Sequence, residues 1–184
     1  MAETDGMARL EKFFREMTLL CFNQLLIRNE EVVDYLAHLL ARFASTDELY
    51  KIKNARGDRL EYIIDFLTEA NSALDLQSPQ FSPFREREIR KHVGDYTLFM
   101  TGMFRDFVVG NSALVYYVDQ GKVSYSSVFE FDRLAEKQEA PLYQDLSNRF
   151  EDYSFALDYM KKVYFKDPAV IGPFRAALRK LTDW

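Results

Sequence analysis

Apolar residues recur along this chain at spacings of three and four, the period that places side chains on one face of a helix. The first such segment predicts a helix over about residues 8–28, and the second begins after Asn29. Asn29 is expected to cap that second helix, because Asn side chains accept hydrogen bonds from the free N–H groups of a helix start. A basic linker at 51–58 then precedes a third predicted helix over about 59–76. The first two apolar stripes are Leu10, Phe14, Met17, Cys21 and Leu25, and Val33, Leu36, Leu40 and Phe43.

Residues 77–83 form the strongest break in the pattern, since two prolines four residues apart forbid a continuous helix. Ser82 followed by Pro83 is typical of a helix cap with proline in the first turn. The helix predicted next, over about 83–109, carries the most regular stripe of the chain. Its members are Ile89, Val93, Tyr96, Met100, Met103 and Phe107.

Two aromatic residues and two glycines distinguish this helix from the others. Phe99 and Phe104 fall outside the stripe, so the helix is expected to be apolar on more than one side and central in the fold. Gly94 and Gly102 lie inside it, although glycine in a helix interior costs about 1 kcal/mol relative to alanine. Two such residues predict either a close approach by a neighbouring element or a local kink.

The segment 113–132 fits two structures. As strands it gives two β-favouring runs around Asp-Gln-Gly-Lys, a plausible hairpin. As a helix it places Leu114, Val118, Gly121, Tyr125 and Val128 on one face. The helix is favoured, because an isolated hairpin is only marginally stable. With a long helix over about 141–165 and a terminal one over about 173–181, the pattern predicts an all-α, single-domain bundle of six or seven helices over residues 1–184.

Composition narrows the class of protein further. The hydrophobic content of 48% is too high for a disordered chain, and the net charge of −5 argues against nucleic acid as the main partner. The longest apolar runs, 17–27 and 107–118, are shorter than the ~18 residues that a membrane span needs. The acidic N-terminus is not followed by the apolar segment of a signal peptide, and the single Cys21 excludes an internal disulfide. These features predict a soluble cytoplasmic protein with no membrane partner.

Two acid–histidine pairs are the candidate metal ligands. Asp34 precedes His38 by four residues, and Glu88 precedes His92 by four, so each pair shares a helix face. Carboxylate and imidazole groups suit iron, manganese or zinc. Neither pair has the Glu-x-x-His spacing of helical di-iron proteins, however, and ordinary surface pairing is the favoured interpretation. No cofactor is therefore predicted.

Arg90 and Asp95 are the other polar candidates. Asp95 adjoins the central apolar stripe, where a carboxylate must be either paired or at a solvated edge. Arg90 and Arg105 are its possible partners on or near the same helix. The favoured interpretation is a structural ion pair. The alternative is a carboxylate at a ligand pocket formed with Arg90, Tyr117 and Tyr125; no residue is predicted to be catalytic.

The central helix also carries a family resemblance. The residues concerned are Arg90, His92, Val93, Gly94, Asp95, Leu98, Phe99, Thr101, Gly102, Met103 and Phe104, followed by Tyr116, Tyr117, Gly121, Tyr125, Leu146 and Phe150. Their pattern, Arg-x-x-x-Gly-Asp with Leu-Phe and Gly-x-aromatic, resembles a family of all-helical bacterial proteins with no established activity, over about residues 32–160. The chain departs from it at Arg105-Asp106, where the family has Pro and Glu. The resemblance implies helix for 113–132.

The sequence thus favours a non-enzymatic helical protein that acts through protein–protein contacts, with self-association into a homo-oligomer such as a dimer. The aromatic content of 15%, the central apolar helix and the lack of a catalytic motif support this expectation. The alternatives are a ligand-binding or enzymatic bundle with its pocket near Asp95 and Tyr117, and a metal–carboxylate protein.

Overall fold

A computed structural model describes residues 2–44, 52–53, 62–79, 81–175 and 178, with side chains omitted for 2–5 and 173. All secondary-structure elements assigned in these ranges are helices, so the predicted all-α, single-domain class is confirmed. The helices are α1 (Ala2–Gln24), α2 (Glu30–Phe43), α3 (Ile63–Leu74), α4 (Pro83–Met103), α5 (Arg105–Gly110), α6 (Leu114–Leu134), α7 (Ala140–Asn148), α8 (Phe150–Val163) and α9 (Pro168–Ile171), followed by a 3-10 turn at Gly172–Phe174.

Helix α4 lies at the centre of the bundle, as its pattern predicts. It packs against α3, α6 and α8 and also contacts α2. Fifteen of its 21 residues are buried, and its last eight positions, Tyr96 to Met103, are all buried and carry no charged side chain. The helix predicted over about 83–109 is wrong at its C-terminal end, because α4 stops at Met103. Phe104 leaves the helical conformation at φ −122°, and its buried ring packs edge-on against Phe99 before the short α5 begins.

The two glycines of α4 allow its neighbours to approach closely. A Cβ atom at Gly94 would lie 2.6 Å from Cε1 of Tyr125 on α6. A Cβ atom at Gly102 would lie 2.5 Å from Cβ of Leu157 on α8. Real Cβ contacts lie near 3.5–4.0 Å, so about 1 Å of extra separation would be needed at both places. The predicted close approach is therefore confirmed, and it sets the distance between α4 and both neighbours.

Both predicted helix caps are confirmed. The Asn29 side chain accepts a hydrogen bond from the Val32 amide, and the Ser82 hydroxyl accepts one from the Arg85 amide. Segment 113–132 is the predicted helix, observed as α6, rather than a hairpin. In the described residues, no helix is both long and apolar enough to cross a lipid bilayer.

The C-terminal third differs from the prediction in one place. The helix expected over 141–165 is divided at Arg149, whose φ of −115° and ψ of 27° separate α7 from α8. The Arg149 side chain pairs with Asp152 at 3.0 Å and lies over the ring of Tyr153. Within the terminal helix expected over 173–181, the structure describes the 3-10 turn at Gly172–Phe174 and residues 175 and 178, and both of these residues are helical. Residues 176–177 and 179–184 lie outside the described residues, as do most of the linker at 51–58 and residues 59–61 of the third predicted helix.

Candidate functional site

Asp95 is the centre of a buried polar network that joins three helices. Its carboxylate is 1% exposed. Oδ1 accepts hydrogen bonds from the hydroxyls of Tyr35 on α2 and Tyr125 on α6, the latter at 2.9 Å. Oδ2 accepts from Nη2 of Arg42 and from Nζ of Lys91, both at 2.9 Å. A carboxylate has about four acceptor sites, so these four donors use its full capacity.

The electrostatics of this network fix its protonation state. Burial by itself raises the pKa of Asp95, but the charges of Lys91 and Arg42 and the Tyr35 hydrogen bond outweigh burial and hold that pKa well below its usual value. Burial, followed by the charge of Asp95, raises the pKa of both Tyr35 and Tyr125 well above 10. At neutral pH Asp95 is therefore ionised and the two tyrosines are neutral donors. Such an arrangement holds helices together and offers neither a free base nor an activated nucleophile.

Local sequence explains how each partner reaches Asp95. Tyr35 and Arg42 are seven residues apart on α2, which is two helical turns and hence one face. Lys91 precedes Asp95 by four residues on α4, the spacing that favours a side-chain pair. Gly94 lets the Tyr125 ring lie against the α4 backbone, which brings the Tyr125 hydroxyl within reach of the carboxylate.

A second buried ion pair, Arg87 with Asp132, lies on the same side of α4. Nε of Arg87 donates to Oδ1 of Asp132 at 2.7 Å and Nη2 donates to Oδ2 at 2.5 Å, a bidentate arrangement. Lys137 adds a third contact at 3.0 Å. The Arg87 guanidinium lies over the ring of Tyr143, and Tyr143 packs against Tyr125. The sequence reasoning missed this pair, although Asp132 continues the three-and-four spacing of the buried Tyr125 and Val128 on α6.

Two of the four predicted pocket residues, Asp95 and Tyr125, are in contact. The described contacts of Arg90 and Arg105 are with residues other than Asp95. Nε of Arg90 is 3.5 Å from Oε1 of Glu86, and its Nη2 donates to Asn71. Nη1 of Arg105 is instead 3.4 Å from the Thr101 carbonyl and 3.3 Å from Oγ of Ser154.

Tyr117, the fourth predicted pocket residue, is half-buried and packs against Tyr96 with ring centroids 6.3 Å apart. The charged partners of Asp95 are therefore Arg42 and Lys91, not the predicted Arg90 and Arg105. Arg42 reaches Asp95 from the neighbouring helix α2, and Lys91 lies one turn earlier on α4. A ligand-binding role for Arg90, Asp95, Tyr117 and Tyr125 stays a prediction.

The described contacts of the predicted metal ligands are with other residues. Asp34 pairs with Arg15 and His38 lies 3.5 Å from Glu11, both near the surface. Glu88 pairs with Arg87 at 2.6 Å. His92 is buried, with its ring edge-on to Phe43 and Phe66. Among the described residues, no three His, Cys, Asp or Glu side chains are grouped so that they could hold a metal ion.

Two cavities lie at opposite ends of α4. One, of about 410 Å³, lies near Met103 and is lined in part by Phe104, Lys161 and Lys162. Burial lowers the pKa of Lys161, whose Nζ donates to the Met103 carbonyl at 2.6 Å, and Lys162 pairs with Asp158. These cations therefore already have intramolecular partners.

The other cavity is an open groove of about 440 Å³ between the end of α3 and the C-terminal half of α6, which we call the α3–α6 groove. Its lining residues are Leu74, Glu86, Val123, Ser126, Ser127, Glu130, Phe131 and Leu134. It lies at the N-terminal end of α4, where Glu86 is located.

The resemblance to the Arg-x-x-x-Gly-Asp family stays a prediction. Two of its residues, Gly94 and Asp95, have structural roles here, in helix packing and in the buried network. These roles explain why such a pattern suits a helical bundle, and they carry no indication of activity. Comparison of the chain with protein-family models, with curated proteins and with solved structures gives no match in any of the three.

Proposed function

We propose that this protein is non-enzymatic and acts through protein–protein contacts, forming a homodimer through the corner between α5 and α6. The observation that carries this proposal is the segment 107–118, which contains no charged residue and yet keeps large apolar side chains at the surface. Phe107 is 49% exposed, Val109 50%, Val115 73% and Tyr116 43%. We call these four residues the α5–α6 corner.

The apolar area of the corner is of the size that a small interface needs. With ~200 Å² for an aromatic side chain and ~100 Å² for a valine, its exposed part amounts to about 300 Å². That is the size of the largest apolar patch on a typical monomer, and such patches are often functional. A standard interface buries ~800 Å² per partner, a little over half of it apolar. The corner would therefore supply most of the apolar part of a modest, reversible interface.

A second copy of the same chain is the partner that this surface suits best. In a two-fold dimer each patch meets its own copy, so a charged residue near the axis would face the same charge. The α5–α6 corner avoids that repulsion, because the turn between its two halves contains only Gly110, Asn111, Ser112 and Ala113. Asn111 and Ser112 are exposed and can exchange hydrogen bonds across the axis.

The polar interior supports the non-enzymatic part of the proposal. The ionised Asp95 has a full set of donors, and Arg87 and Asp132 neutralise each other. Buried polar groups that satisfy one another in this way contribute to a single well-defined packing rather than to chemistry. A cytoplasmic location belongs to the same proposal and is supported by the single, buried thiol of Cys21.

Sedimentation velocity tests the dimer directly. We expect the wild-type chain to shift from monomer to dimer between about 1 and about 100 μM, the range in which a modest interface dissociates. Val115→Lys should weaken the dimer at least about tenfold, because it buries a lysine in each copy without a partner. Val163→Lys, a similar change at an exposed valine at the end of α8, is the matched control and should dimerise like the wild type.

Two outcomes would contradict the proposed dimer. One is a wild-type chain that stays monomeric throughout this range. The other is a Val115→Lys variant that associates as strongly as the Val163→Lys control, which would place any interface elsewhere on the surface.

A further inference from the structure

We propose that the α3–α6 groove binds an apolar amine, with the carboxylate of Glu86 as the counter-ion of its ammonium group. The site lies at the other end of α6 from the α5–α6 corner, and the proposal does not depend on self-association. It rests on three features of the groove: an incompletely paired buried carboxylate, apolar walls, and the sign of the charges that line it.

The first feature is the pairing of Glu86. Its side chain is 4% exposed, and its Oε2 atom is buried without a hydrogen-bond partner in the described part of the structure. Among the described residues its one ion pair is with Arg90, at the long distance of 3.5 Å from Nε to Oε1. The same guanidinium also donates to Asn71 at 3.2 Å. A buried carboxylate oxygen with no donor is costly and rare in native proteins, so the group is suited to accept one from a ligand.

The second feature is the apolar wall of the groove. Leu74 from α3 and Val123, Phe131 and Leu134 from α6 line it, and Leu74, Val123 and Leu134 keep half or more of their surface exposed. The volume of about 440 Å³ falls within the range of small-molecule sites, ~300–1,000 Å³. A hydrocarbon group of phenyl or hexyl size can therefore displace water from these side chains, which supplies the apolar part of the affinity.

The third feature is the charge of the lining. The described lining residues include two carboxylates, Glu86 and Glu130, and no lysine or arginine. Glu130 lies at the exposed rim and is paired with Arg133, so Glu86 is the buried acceptor. The Ser127 hydroxyl donates to the Val123 carbonyl at 3.0 Å, which leaves its oxygen free to accept. A groove that combines hydrogen-bond acceptors with apolar walls favours a cationic ligand over an anionic one. An ammonium group suits these acceptors, because it carries up to three N–H donors.

The Glu86 carboxylate needs little rearrangement to accept a hydrogen bond from an ammonium group in the groove. The last torsion of a glutamate side chain is broad and soft, so a small rotation would turn either oxygen of Glu86 toward the groove. A charge-assisted hydrogen bond to a buried carboxylate is stronger than one at the solvent-exposed surface, because the local dielectric constant is lower.

Binding of 2-phenylethylamine to the full-length chain at neutral pH tests the proposal. Isothermal titration calorimetry would measure the affinity, and amide chemical shifts would locate the site. 2-Phenylethanol, with the same hydrocarbon part, and 3-phenylpropanoate, which carries the opposite charge, are the matched probes. We expect the amine to bind at least tenfold more tightly than either, with the largest shifts on α6 between Val123 and Leu134.

Glu86→Gln keeps the shape of the side chain and removes its charge. It should weaken amine binding at least tenfold and leave the weak binding of 2-phenylethanol unchanged. Val123→Lys, on the exposed wall, should abolish amine binding, and it gives the decisive comparison if Glu86→Gln does not fold. Val163→Lys should bind the amine like the wild type. The proposal is overturned if the amine and the alcohol bind equally, if both groove variants bind like the wild type, or if the shifts lie away from the groove.

Discussion

Gly94→Ala is the substitution that most directly tests how α4 and α6 are held together. The added Cβ atom would lie 2.6 Å from Cε1, 2.7 Å from Cδ1 and 2.9 Å from Cζ of Tyr125. Tyr125 is fully buried, and its ring is enclosed by Tyr35, Tyr143 and Phe150. The ring cannot retreat by the ~1 Å that an ordinary carbon–carbon contact requires without moving its hydroxyl away from Asp95.

The expected cost follows from these contacts. Overpacking a well-packed core costs about 1–3 kcal/mol, and losing a hydrogen bond to a charged group costs about 1.5–3 kcal/mol. Alanine gains about 1 kcal/mol over glycine in a helix interior. We therefore expect Gly94→Ala to lower the free energy of unfolding by about 1.5–5 kcal/mol.

Urea unfolding followed by far-UV circular dichroism measures this difference. Gly6→Ala is the matched control, because no atom outside the local helix backbone and the adjacent residues lies within 4 Å of a Cβ placed there. It should be neutral or stabilising by up to about 1 kcal/mol. In a Tyr125→Phe background, Gly94→Ala should cost about 1.5–3 kcal/mol less, since no hydroxyl bond is left to lose. A Gly94→Ala variant within about 0.5 kcal/mol of the wild type, or a cost unaffected by Tyr125→Phe, would refute the reasoning.

Two further predictions concern titratable groups in the core. The pKa of Asp95 in the folded protein lies below its unfolded value of about 3.9, so its ionised form stabilises the fold above that pH, and this contribution is lost as the pH falls toward the lower folded pKa. Asp95→Asn should therefore cost about 3–5 kcal/mol at pH 7, with a gap to the wild type that narrows below pH ~4; a constant gap would contradict the assigned charge state. Burial raises the pKa of Cys21 to about 12, so its thiol should resist maleimide in the native protein and react after urea unfolding; rapid native labelling would show that α1 is not packed as described.

The local pattern of the sequence determined most of the helices. The three-and-four spacing located α1, α2, α4 and α6, because each buries one face against a neighbour and that requirement is visible in the order of residues. Asn29 and Ser82 marked helix starts, since a cap is a bond between side chain and backbone three residues apart. Gly94 and Gly102 indicated close packing, although their partners on α6 and α8 could not be named.

Only the tertiary structure decided where helices break without glycine or proline and which groups meet in the core. Phe104 leaves the helical conformation where its ring is buried and Lys161 of α8 lies over it, and Arg149 does so between the fully buried Leu146 and Phe150. Lys91 precedes Asp95 by four residues, but the partners predicted for Asp95 from the sequence are Arg90 and Arg105 instead. The other donors to Asp95 lie 30 to 60 residues away, so no local spacing could identify them. Helices form from neighbours in sequence, whereas a buried carboxylate is satisfied by whichever donors the packing brings to it, and that is a property of the whole fold.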